Sequence, residues 1–138
     1  MASRLNVVYA YSWHLPSSDL VNVRLIMESI RAFCVDLGCE AVSSLSVQPD
    51  SVVLTAVVPD AGQHEFVLEY SPEENSWTTS SWLRVSSFKE ISRIMFHVAT
   101  MGIEVRTMFA GMELCYHRND VGVIEVEQRS AFDPGSIL

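Results

Sequence analysis

Two stretches of the chain carry apolar residues at helical spacing, and most of the remainder alternates with the two-residue period of strands. Val23, Ile26, Met27, Ile30, Phe33, Cys34 and Leu37 follow i, i+3, i+4, i+7 intervals, while Asn22, Arg24, Glu28, Arg31 and Asp36 take the other side. Pro16-Ser17-Ser18-Asp19 predicts the start of this helix, with Ser17 or Ser18 as N-cap and Asp19 in the first turn. Gly38 fits the left-handed residue that ends it, a conformation glycine reaches without a Cβ clash. A second stripe runs through Phe88, Ile91, Ile94, Met95, Val98 and Met101 and stops at Gly102. Ser87-Phe88-Lys89-Glu90 ahead of it matches a capping box.

Residues 6–11 are aromatic and β-branched and predict a first strand. Between the helices, residues 41–48, 52–58, 64–70 and 77–85 predict a meander, punctuated by Gln48-Pro49-Asp50-Ser51, Pro59-Asp60-Ala61-Gly62 and Ser71-Pro72-Glu73-Glu74-Asn75. His64, Phe66, Leu68 and Tyr70 share one face of their strand; Glu65, Val67 and Glu69 share the other. Residues 103–109, 112–117 and 121–128 predict three closing strands. The order β-α-β-β-β-β-α-β-β-β indicates an α+β fold: a largely antiparallel β-sheet with two amphipathic helices packed on one face. Residues 1–130 are expected to form a single domain and 131–138 a flexible tail. Leu37-Gly38-Cys39-Glu40-Ala41 returns as Met101-Gly102-Ile103-Glu104-Val105, which fits an internal duplication or the common habit of helices to stop at glycine.

One strand breaks the expected alternation. In Val52–Val58, Val52, Leu54, Ala56 and Val58 supply one apolar parity, but Val53 and Val57 put apolar groups on the other as well. The strand periods place Val53, Val57, Val67, Trp82 and Met108 together on the side away from the helices, bordered by Glu65, Glu69, Arg84 and Arg106. An apolar patch with a charged rim is the usual form of a protein-binding surface. A second covering layer from the chain's own N-terminal strand or tail is the competing explanation.

Composition narrows the partner. At 138 residues and 49% hydrophobic, the chain can bury roughly 68–70% of its unfolded surface without metal or disulfide support. Its net charge of −8, with bases scattered singly, repels phosphate, so no nucleic acid and no anionic membrane is expected. No apolar run nears the ~18 residues of a membrane helix, and the N-terminus shows no signal-peptide pattern. The three cysteines form no CxxC pair, which fits a reducing compartment, so a cytoplasmic location is the expectation.

Catalytic signals are sparse. His64 shares its face with Phe66 and Leu68 and caps a core edge; His97 falls beside the helical stripe, on the solvated flank; His14 precedes a loop proline. Glu113, Cys115 and His117 line one side of a strand, the residue types of a zinc or thiol site. Alternate strand residues are ~7 Å apart, too long for a direct thiol–imidazole bond, and no second Cys/His cluster completes a tetrahedral set. No metal or other cofactor is expected. The reading that follows is a non-enzymatic, acidic protein-interaction module that self-associates as a homodimer through the apolar sheet face. The alternative is a small-molecule-binding or enzymatic domain with a pocket between sheet and helices, lined by His64, Tyr70, Trp77 and Tyr116.

Overall fold

The computed structural model describes residues 6–38 and 44–130. Its elements are β1 (Val7–Pro16), α1 (Leu20–Asp36), β2 (Ser44–Gln48), β3 (Ser51–Val58), β4 (Gly62–Ser71), β5 (Ser76–Val85), α2 (Lys89–Thr100), β6 (Glu104–Phe109), β7 (Met112–Arg118) and β8 (Ile124–Ser130). The eight strands form one antiparallel sheet in the order β2-β3-β4-β5-β1-β6-β7-β8. The fold is therefore α+β, with the element order the sequence predicts. The start of the 41–48 strand and the 131–138 tail lie outside the described residues.

Several boundaries differ from expectation, each for a local reason. β1 runs on to Pro16, so His14 belongs to a strand and not to a loop. Tyr9, Tyr11, Trp13 and Leu15 are all buried and keep the two-residue period throughout. The N-cap of α1 is Asp19, whose carboxylate accepts from the Asn22 N–H at 2.8 Å, rather than Ser17 or Ser18. The capping box of α2 does not form: Phe88 is the N-cap, and the Ser87 hydroxyl accepts from the nearer Lys89 N–H instead. β8 starts at Ile124, because the Asn119 side chain accepts from the N–H groups of Val121 and Val123 and holds that stretch as a turn.

The strand order fixes where the helices lie. Counting antiparallel steps makes β1 parallel to β2 and β5 parallel to β6. The α1 crossover moves toward one edge and the α2 crossover toward the other, from strands of opposite direction. Two right-handed crossovers with those opposed senses put both helices on the same side of the sheet. The core agrees: Tyr9, Trp13, Val52, Leu54, Phe66, Leu83 and Val105 form one buried cluster with Val23, Met27 and Ile30 of α1 and Ile91, Ile94 and Val98 of α2. At its centre the Trp13 indole stacks on Phe66 with centroids 5.4 Å apart and donates to the Met95 sulfur. Phe33 is only partly buried, stacked on His97 across the helix pair.

The repeated helix–glycine–strand phrase does not mark two equivalent units. Gly38 and Gly102 do share the positive φ of a helix end, +90° and +89°. After α1, however, the chain enters at the sheet's outer edge and folds inward through β2, β3 and β4; after α2 it enters at the centre and folds outward through β6, β7 and β8.

Candidate interaction site

The helix-free face is assembled from the positions between the core residues. Ala10 sits at the middle of the sheet, paired with Trp82 of β5 on one side and Met108 of β6 on the other. Met108 faces Glu113 of β7, so Trp82, Ala10, Met108 and Glu113 form one transverse row. The adjacent row runs Ser80, Ser12, Arg106, Cys115, and on the opposite side Val8 faces Arg84. Because Ala10 has only a methyl group between an indole and a thioether, the row leaves a notch. Its volume is about 400 Å³, with Ser12, Ser80, Arg106 and Glu113 around it.

The exposure of this row is what distinguishes it. Trp82 is 59% exposed, Met108 44% and Val8 42%, next to a strand whose other face is fully sealed. The charges around it have both signs, and among the described residues no ion pair joins Arg84, Arg106, Glu65 or Glu113 to another group.

The valines predicted for the same patch do lie on this face. Val53 pairs with Val67, and Val57 lies further along β3. They are half-buried among themselves, and the sheet divides them from Trp82. β4 and β5 pair only from Glu69 to Ser71 against Ser76 to Thr78, whereas β1 and β5 pair over their whole length. A backbone bond from the Ser86 N–H to the Asp60 carbonyl closes the far end of that parting. Ala10 and Val8 were missed by sequence reasoning. A lone alanine becomes a notch only when the register seats it between two large side chains.

The residues predicted to line a pocket between sheet and helices do not converge. His64 is tied to Tyr11, its Nε2 2.6 Å from the phenol oxygen and its ring edge-on to Phe66. Burial lowers its pKa and keeps the imidazole neutral, so the Tyr11 hydroxyl is the donor. Tyr70 and Trp77 do meet, with centroids 5.3 Å apart. They border a cleft of about 430 Å³ among the β1–α1, β2–β3 and β4–β5 loops, with Ser17, Asp19 and Asn75. Tyr70 donates to Asn75 and Trp77 to the Ser18 carbonyl. Tyr116 lies elsewhere, beside α2 at a groove of about 510 Å³ that also contains Ser92 and Phe96. Neither cavity has His64 or His117 in its lining.

The remaining candidate chemistry is spread over the two faces. His97 is not on a solvated flank: its ring stacks on Phe33 at 4.3 Å and its Nε2 lies 3.2 Å from the Ser29 hydroxyl. Burial lowers its pKa too. Glu113, Cys115 and His117 share the helix-free face, as their spacing requires. The Cys115 thiol sits 3.6 Å from the Glu113 carboxylate, and burial together with that negative charge pushes its pKa up, away from the reactive thiolate. His117 pairs with Glu125 at 3.1 Å, and His14 with Glu104 at 3.4 Å. Among the described residues no group of three or more His, Cys, Asp or Glu side chains is placed to hold a metal ion, and no helix is long and apolar enough to cross a membrane.

Comparisons of the chain with protein-family models, with curated proteins and with solved structures return no match.

Proposed function

We propose that this protein is a non-enzymatic interaction module that self-associates through the helix-free face of its sheet. The observation that carries this reading is Trp82. A tryptophan 59% exposed at the middle of a sheet, in one row with exposed Met108 and next to Val8, leaves the largest and costliest apolar side chain in water. Such aromatic anchors, ringed by charges, supply most of the binding energy in protein interfaces. The titratable side chains favour the same reading: His64 and His97 are engaged with neighbours and held neutral, and the one described thiol on this face is held protonated.

Light scattering coupled to gel filtration tests it. The wild-type chain is expected to elute as a dimer at tens of micromolar, and Trp82→Glu as a folded monomer. A wild-type monomer at every concentration overturns the reading.

A second reading is favoured by one feature only, the cleft where Tyr70 and Trp77 meet below Ser17, Asp19 and Asn75. Aromatic faces beside hydroxyl, amide and carboxylate groups suit a small polar ligand. The Asn75 amide oxygen already accepts from Tyr70 and the Asp19 carboxylate caps α1, so the cleft ranks behind the sheet face.

A further inference from the structure

Resting on the self-association reading, we propose that the Ala10 notch is the receptor for Trp82 of a second copy, the two sheets lying face to face about a two-fold axis that runs along the β1–β5 boundary. That boundary is the middle of the sheet, with β2, β3, β4 and β5 on one side and β1, β6, β7 and β8 on the other. A two-fold axis there sets β1 over the partner's β5, strands that pair along their whole length, with the parting of β4 from β5 further out. Strands ~4.8 Å apart and about six residues deep give the whole face a footprint on the order of 750 Å², near the ~800 Å² per partner of a standard interface.

The same axis decides which groups meet. Trp82 and Ala10 are cross-strand partners, so a rotation about the line between them exchanges their positions. Each indole then lies over the other copy's alanine. Knob and hole stand on the same surface, which is what an isologous contact requires. β6 is carried over the partner's β4, since each is the next strand out from the axis. Arg106 of β6 thereby faces the edge of β4 that bears Glu65 and Glu69, and the symmetric contact repeats it. Within one protomer Arg106 and Glu65 have no ion pair among the described residues. A chain of net charge −8 repels its own copies at most orientations. At this one Arg106 meets the carboxylates of β4, while Glu104, Glu113, Glu125 and Glu127 share its own half of the face.

Sedimentation equilibrium on the full chain tests the arrangement. Ala10→Trp, which fills the notch, and Trp82→Ala, which removes the knob, should each weaken the dimer tenfold or more. Both positions are on the outer face, so unchanged circular dichroism spectra will show that folding persists. Arg106→Glu and Glu65→Arg should each weaken the dimer, and the double variant should recover to within a few-fold of wild type. Net charge alone predicts otherwise: Glu65→Arg makes the chain less acidic and would strengthen association. A wild-type dimer untouched by Ala10→Trp overturns the notch while leaving self-association standing. A dimer that loses affinity at Ala10→Trp but is not rescued by the double swap overturns the axis. A monomeric wild type overturns both this inference and the reading beneath it.

Discussion

The two faces of the same strands have opposite fates. On one, Tyr9, Tyr11 and Trp13 of β1 are sealed under two helices, and their neighbours Phe66, Leu83 and Val105 interlock with them. On the other, exposed Val8 and half-buried Ala10 and Ser12 lie between them, beside exposed Trp82 and Met108. Both faces contain a tryptophan at the sheet's centre, yet among the described residues only Trp13 of the two has its indole nitrogen satisfied and its ring stacked. The contrast shows that apolar content alone does not define a core. What does is whether the crossovers bring a second layer onto that side, and here both crossovers bring it onto one side only.

Substituting each tryptophan separates the two faces most sharply. Trp13→Ala should lower the unfolding free energy by about 3–5 kcal/mol, the range for emptying a large aromatic site in a packed core. Trp82→Ala, measured by chemical denaturation at high dilution, should change it by less than about 0.5 kcal/mol, as for an exposed position. Equal losses would erase the distinction between the faces.

A smaller effect should follow from the helix end that leads into β6. Gly102 has φ +89° and open space where a Cβ would go. The cost of Gly102→Val is therefore backbone strain alone, about 1–2 kcal/mol, readable in the denaturation midpoint.

The covered face also predicts a pH dependence. Burial lowers the pKa of His64 and His97 below the ordinary 6.5, so between the folded and unfolded values the unfolded chain binds more protons. Their contribution to stability is complete above about pH 6.5 and shrinks as the pH falls below it. Denaturation curves at pH 7.5 and 5.5 should show the loss, and His64→Gln should reduce it. A protein equally stable at both values would contradict the burial of these rings.

The smallest effect concerns the Tyr9 hydroxyl. It is buried near Thr107, Ser92 and Tyr116 but makes no well-formed hydrogen bond among the described residues. Tyr9→Phe should therefore leave stability unchanged or raise it by up to about 1 kcal/mol. A loss larger than that would mean the hydroxyl is satisfied by a bound water.

How much of this was readable in advance follows from the range of the interactions involved. Helix stripes such as Val23 to Leu37 and turn chemistry such as Pro49-Asp50 are written within a few residues and were legible. The end of β1 was missed although Trp13 and Leu15 continue its period, because Ser12, His14 and Pro16 on the alternate parity look like a loop. Cap choice between Ser18 and Asp19 depends on one hydrogen bond to Asn22, below what spacing resolves. Strand order lay beyond reach, since the position of β1 between β5 and β6 is set by pairing across most of the chain. The candidate site inherits that limit. Trp82 and Met108 were visible as surplus apolar residues, whereas Ala10 gained its role only from the two strands that flank it.

Trp82 emission across a dilution series, isolated by subtracting the spectrum of Trp82→Phe, shows whether a second copy covers this face. Emission typical of a solvated indole is expected at nanomolar concentration, moving to the blue as concentration rises and copies close over the notch. Emission that stays at the solvated position at every concentration, with Trp13 and Trp77 unchanged, would contradict self-association through this face.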